Sequence, residues 1–188
     1  MNYSSKIYVA GHTGLVGSEI LRKLKESGYT NIITYRSAQL DLRNQKHVEE
    51  FFESEKPEYV FFAAAKVGGV FANSTYPADF IHDNLAMQTN AIHSACENGV
   101  KKFMFMGSNC LYPKLVKQPI KEEYLLAGKL EATTEAYAIA KIAGIKMCEA
   151  YYTQYNCNCI TVLPINMYGP NDNYNLETSH VMPALLSK

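Results

Sequence analysis

The sequence predicts a doubly wound α/β domain around a parallel sheet, followed by the start of a second domain. Short β-rich apolar runs alternate with longer segments of helical period along most of the chain. The runs show almost no inward–outward alternation, the mark of strands covered on both faces, as parallel sheets are. A turn spaced Gly11-x-x-Gly14-x-x-Gly17 joins the first run to the first helical segment. Together these describe a Rossmann arrangement.

Taken in order, "KIYVA" (6–10) reads as a strand and "LVGSEILRKLKES" (15–27) as an amphipathic helix stopped at Gly28. "NIITY" (31–35) is a second strand, and "QKHVEEFFESE" (45–55) a second helix closed by Pro57. "EYVFFAAA" (58–65) is a third strand. The helix at 77–98 opens on Pro77, favoured at a first helical position, and stops at Gly99. "KKFMFMG" (101–107) is a fourth strand. Thr133 or Thr134 caps a helix running to about Tyr155, and "CITVLPI" (159–165) is a fifth strand. Residues 112–132 form a long charged insertion and 166–180 an Asn-rich loop. Both follow the carboxyl ends of strands, where such folds bind ligands. "VMPALLSK" begins a helix with no visible ending. The expected division is a first domain over 1–166 and the start of a truncated second over 167–188.

Composition excludes several classes. Eighteen basic residues balance eighteen acidic ones, which leaves no electrostatic footprint for nucleic acid or an anionic membrane. No apolar run approaches the roughly 18 residues of a membrane span, and the N-terminus lacks the apolar core of a signal peptide. The five cysteines are an odd number without a C-x-x-C. That argues against a disulfide framework or a structural metal site and fits a reducing, cytoplasmic setting. Cys157-Asn-Cys159 reads as a pair of strand-edge residues rather than metal ligands.

The glycine turn lets backbone approach a pyrophosphate at a helix N-terminus, where N–H groups and the dipole favour anions. The second strand bears on cofactor choice. A site for NAD expects a carboxylate about 20 positions on, but the strand ends Tyr35-Arg36-Ser37, with none until Asp41. An arginine and a hydroxyl can hold a 2′-phosphate, so NADP is favoured; Arg36 as a solvated loop charge is the alternative.

Tyr137 and Lys141 are four apart and share a helix face. An ammonium beside a phenol favours the phenolate and lowers a pKa that starts near ~10. Such a tyrosine can exchange a proton with a substrate oxygen while the lysine reaches ribose hydroxyls. Ser108 ends a neighbouring strand, where it can hydrogen-bond the same oxygen. Cys110, two residues on, could be a buried filler, a disulfide half, a metal ligand, a nucleophile or a proton-transfer group.

With the glycine turn, "AAA" after the third strand, Ser108, Tyr137-x-x-x-Lys141 and "PINMYGP", the chain resembles the extended short-chain dehydrogenase/reductases. More narrowly, "AAAKVGGV", "CLYPKLVKQPIKEEYLLAG", "YAIAKIAGIKMCEAY", "NMYGPNDNY" and "SHVMPALL" resemble the epimerase/reductases that make GDP-L-fucose from GDP-4-keto-6-deoxy-D-mannose with NADPH. The resemblance implies roles. Tyr137 is the catalytic tyrosine, Lys141 the cofactor-binding lysine and Ser108 the substrate-orienting serine. Cys110 is the epimerisation base and His180 the opposing acid. Gly11, His12, Thr13, Gly14, Leu15, Val16 and Gly17 line the NADP site with Met106, Gly107, Ser108 and Asn109. Pro164, Ile165, Asn166, Met167 and His180 complete it, beside Arg36, Ser37 and Asp41. Ser108, Cys110, Tyr137, Asn166 and Lys188 are expected to meet the GDP-sugar. Thr13 and Ser37 stand where some bacterial relatives carry arginines, and the family's remaining C-terminal part, which supplies much of the sugar-nucleotide pocket, is not in the sequence.

The implied substrate explains the residue types. A C4 ketone acidifies C–H at C3 and C5, and inversion needs two titrating groups on opposite faces with donors at the oxyanion. A thiol near ~8.5 and an imidazole near ~6.5 both serve near neutral pH. The rivals are the same chemistry on another GDP-4-keto sugar such as a heptose, or a non-catalytic dinucleotide-binding module. The helices at 77–98 and 134–155 could pair two copies as a homodimer, or their apolar stripes could simply face the sheet.

Overall fold

A computed structural model describes residues 1–187, so the expectation for Lys188 lies outside the described residues. The strands are β1 (Ile7–Ala10), β2 (Ile32–Ile33), β3 (Tyr59–Phe62), β4 (Lys102–Met106) and β5 (Cys159–Val162). They form one sheet in the order β2-β1-β3-β4-β5, and every pairing is parallel. The helices are α1 (Leu15–Glu26), α2 (Gln45–Glu55), α3 (Val70–Thr75), α4 (Pro77–Glu97), α5 (Glu135–Tyr155) and α6 (Val181–Leu186). The order reverses between β1 and β3, the switch point where doubly wound folds open a ligand crevice.

The sheet separates two unequal cores. On one face α2, α4 and α5 cover a large cluster that includes Tyr8, Phe52, Phe62, Phe105, Leu111 and Ile142. On the other, α1 brings Leu24 against Ile7 and Val9. Only β1 is buried at every position; β3 and β5 alternate, with Ile160 40% and Val162 39% exposed. The expected coverage of both faces therefore holds for β1 and thins toward β5, because among the described helices α1 alone packs the second face.

Several expected ends shift. β3 and β5 are shorter than their apolar runs, because Ala63–Ala65 and Leu163–Ile165 leave the ladder to shape the turns at its carboxyl edge, and β2 shrinks to Ile32–Ile33. Lys56, in the left-handed conformation, closes α2 one residue before Pro57. Thr134 is the N-cap of α5, yet its side chain makes no capping bond there. The short α3 lies in a stretch that carried no helical expectation.

The cysteines correct the reading from parity. Cys96, at the end of α4, is joined to Cys157, just past α5, with Cα atoms 5.7 Å apart. The pair is 61 residues apart in sequence and meets only because α4 and α5 pack side by side and end together. An odd count did not exclude it: Cys110, Cys148 and Cys159 are the free thiols. No described helix is long and apolar enough to cross a membrane.

Candidate active site

The carboxyl edge of the sheet collects the expected residues from four loops. After β1, Gly11 has φ +76°, and a Cβ there would sit 2.7 Å from the Ala64 nitrogen and 2.8 Å from the Ala63 carbonyl. Its backbone is pressed against the end of β3, which only glycine permits. A Cβ on Gly17 would collide with the Gly11 carbonyl oxygen, so α1 also starts hard against the turn. Gly14 differs: its Cβ would find only ordinary contact, and it caps α1 in an extended conformation. No acidic side chain occupies the first turn of α1, so its free N–H groups present an unopposed positive end.

Beside the turn, His12 Nδ1 is buried without a hydrogen-bond partner. Burial lowers the His12 pKa, and the charges of Arg36 and Lys25 lower it further. Arg36 is exposed; its guanidinium meets no carboxylate among the described residues, while its backbone is held by Gln39. Ser37 is also exposed. Asp41 is gripped by Arg43 through two bonds of 2.9 Å, which hold its carboxyl below the usual range. Its oxygens face Arg43 rather than the glycine turn.

After β4 the chain makes a 3-10 turn, Asn109–Leu111, anchored by fully buried Leu111. Ser108 caps it, and this explains the Ser-x-Cys spacing. The Ser108 hydroxyl oxygen accepts from the Cys110 amide at 3.4 Å and from the Cys110 thiol at 3.2 Å. Lys141 and Tyr137, one turn apart on α5, close over the same strand end. Lys141 is only 2% exposed; its Nζ donates to the Met106 carbonyl at 2.8 Å and lies 4.7 Å from the Phe105 ring centroid.

Burial governs the electrostatics here. It pushes Lys141 down to about 8, with the Cys110 charge acting the other way. It pushes the Cys110 thiol up against the opposing pull of Ser108 and Lys141. Tyr137 is also raised, first by burial and then by Cys110, with a hydrogen bond to Ser108 opposing. This corrects the expected phenolate. The Lys141 ammonium is spent on the Met106 carbonyl, and desolvation decides for the neutral phenol. A neutral phenol is a proton donor, the form a carbonyl reduction needs.

His180 is exposed and caps α6. The segment before it is pinned to the loop after β3: the Gly69 amide donates to Thr178 O at 2.9 Å, and a Cβ on Gly69 would collide with the Ser179 carbonyl. Asn73, 5% exposed, locks that loop by donating to Gly68 O and Gly69 O. Sequence reasoning assigned Gly68, Gly69 and Asn73 no role, although the glycine pair after the third strand was the signal. Across from α1, a cleft of about 540 Å³ separates Leu15, Val16 and Ile20 from Asn166, Met167 and Tyr168. Pro164 is half-buried before it, and Ile165 projects at 75% exposure. A larger cleft, about 640 Å³, lies within the 112–132 insertion and is rimmed by Lys114, Lys117 and Lys129.

Several known proteins are similar to this chain in sequence and fold. GDP-L-fucose synthase 1 of Arabidopsis thaliana is 60% identical over 185 residues, which are 98% of this chain and 57% of that protein. The chain thus spans little more than half the length of the curated relatives it matches. The structure of MlghC, a GDP-mannoheptose C4 reductase from Campylobacter jejuni with NADP bound, superposes with a TM-score of 0.92 at 46% identity. That match covers 99% of this chain and 55% of the other. A GDP-L-fucose synthetase from Naegleria fowleri bound to NADP gives 0.90 at 32% identity, covering 99% of this chain and 61% of that one. The profile of the NAD dependent epimerase/dehydratase family matches residues 7–188, nearly the whole sequence, and the chain belongs to that family.

Proposed function

We propose that the protein is an NADP-dependent bifunctional epimerase/reductase that converts GDP-4-keto-6-deoxy-D-mannose to GDP-L-fucose. The observation that carries the reading is the single cluster of Ser108, Cys110, Tyr137 and Lys141, a thiol on its own hydroxyl partner beside a reductase Tyr–Lys pair. The name of the Arabidopsis relative supports the substrate, and the NADP in the two solved neighbours supports the cofactor.

The residues suit that cofactor. Gly11 and Gly17 clear a backbone cradle at an acid-free helix start, and Arg36, which meets no carboxylate among the described residues, is a cation for a 2′-phosphate. In this reading Lys141 holds ribose hydroxyls with the donors that its bond to the Met106 carbonyl leaves free. NADPH would supply the hydride at C4. At C3 and then at C5, Cys110 as thiolate takes the proton and His180 delivers one to the opposite face; between the two rounds Cys110 gives its proton to solvent and His180 regains one from it. Ser108 and Tyr137 donate to the enolate oxygen, and Tyr137 gives its phenolic proton to the C4 oxygen on reduction. Because burial raises the Cys110 thiol, exchange quickens as pH rises past neutrality.

A second reading, C4 reduction of a GDP-4-keto heptose, draws on the Campylobacter jejuni neighbour. Presenting each keto sugar with NADPH and reading the product stereochemistry by NMR separates them. GDP-L-fucose is expected from the deoxymannose substrate; turnover of the heptose alone contradicts the proposal. The reading extends to a homodimer through α4 and α5, with Ile139, Tyr152 and Tyr155 exposed on α5.

A further inference from the structure

Lys141 is a nearly inaccessible cation for which one carbonyl, that of Met106, is the only hydrogen-bond acceptor among the described residues. An ammonium carries three donors and is costly to take out of water. What lies beneath it is the Phe105 ring, itself 0% exposed and stacked on Phe62 with centroids 6.1 Å apart. The ring reaches that place through a notch in α5. At Gly144, one turn past Lys141, a Cβ would sit 2.9 Å from Phe105 Cε1 and closer still to Cζ. The same Cβ would sit 2.9 Å from Gln88 Oε1. Gln88, 2% exposed on α4, donates its amide to the Ala140 carbonyl, next to Lys141. A missing side chain thus admits a strand residue and a helix residue together.

We propose that Phe105, seated in the Gly144 notch and backed by Gln88, is a positioning residue that keeps Lys141 charged and in place. This rests on the reading of Lys141 as the cofactor-holding lysine. The negative face of an aromatic ring favours the ammonium over the amine, whereas burial favours the amine. The groups facing Lys141 are few. The 3-10 turn offers Cys110, whose thiolate also favours the ammonium, and α5 offers the neutral Tyr137. From β4 comes the Met106 carbonyl, and from α4 the uncharged Gln88. With burial already pushing Lys141 down to about 8, loss of a ring contribution of about one unit brings its midpoint to neutral pH.

The test is to follow the Lys141 ε-carbon by NMR in protein carrying ¹³C-lysine, and to measure NADPH affinity across the same pH range. Phe105→Leu is expected to lower the Lys141 midpoint by about one unit. NADPH affinity should then fall about twofold at the lowered midpoint, approach a loss of about tenfold above the original one, and hardly change well below both, a pattern that mere loosening does not give. Phe105→Tyr should restore both. An unshifted midpoint in folded Phe105→Leu overturns the proposal. If that variant does not fold, Gly144→Ala displaces the ring from the other side, and an unshifted midpoint there overturns it equally. Lys141→Met tests the parent reading separately: undiminished NADPH binding sinks the cofactor role but leaves the Phe105–Lys141 titration to be judged on its own.

Discussion

The glycine turn after β1 and the side-chain cluster after β4 share the carboxyl edge of one sheet and are built of different material. The turn works by what is absent. Gly11 and Gly17 bring backbone against backbone, and the N–H groups left over face outward. The cluster works by what is present and desolvated, a lysine, a phenol and a thiol whose protonation burial sets. Gly11 and Gly17 tolerate no added atom; the cluster tolerates no change in polarity. Binding a dinucleotide and moving protons are therefore separable by mutation at Gly11 and at Cys110.

The largest break should come from the turn. Gly11→Ala forces a side chain into a left-handed φ and against Ala63 and Ala64. It should lower NADPH affinity by at least about 100-fold, or ~3 kcal/mol, read by titration, while the Cys110 side of the chemistry stays intact. A smaller effect is expected at the edge of the cradle. Arg36→Ala should weaken NADPH about tenfold and leave NADH unchanged, since only the former carries the 2′-phosphate. Equal losses for both cofactors would make Arg36 a general loop charge.

The smallest effect is one of stability, and it has a sign. Lys141 titrates near about 8 when folded, below its ordinary 10.5. Between those values the unfolded chain holds a proton the folded chain lacks, so stability rises with pH through that window; below it the buried charge is a steady cost. Lys141→Met should therefore raise Tm near neutral pH by roughly 4 °C, and the gain should fade as pH climbs from about 8 to 10.5. A Tm gain that does not change with pH would mean that packing, not charge, is responsible.

The two regions were also unequally legible. Glycine spacing between an apolar run and a helix exposes a backbone device directly, because a missing side chain is written in the sequence. Tyr137-x-x-x-Lys141 was legible as a shared helix face for the same local reason. The protonation of Tyr137 was not, since it depends on how deeply α5 seats over β4 and on Lys141 turning to Met106. Phe105 read only as a strand residue, and its place under Lys141 depends on Gly144 in another element. The Cys96–Cys157 bond was invisible because it joins the ends of two helices that meet only in the packed fold. Local spacing reveals what neighbours in sequence do; desolvation and pairing across elements need the fold.

The central claim is that a thiol serving epimerisation and a phenol serving reduction stand in one cluster and can be uncoupled. The direct measurement is deuterium incorporation from heavy water at C3 and C5 of GDP-4-keto-6-deoxy-D-mannose, followed by NMR alongside NADPH consumption. Cys110→Ala should stop exchange and still consume NADPH, giving a 6-deoxy product that keeps the D configuration. Tyr137→Phe should exchange protons but reduce about 10²- to 10⁴-fold more slowly. If Cys110→Ala exchanges both positions at the rate of the unaltered protein, the thiol is packing and the account is wrong.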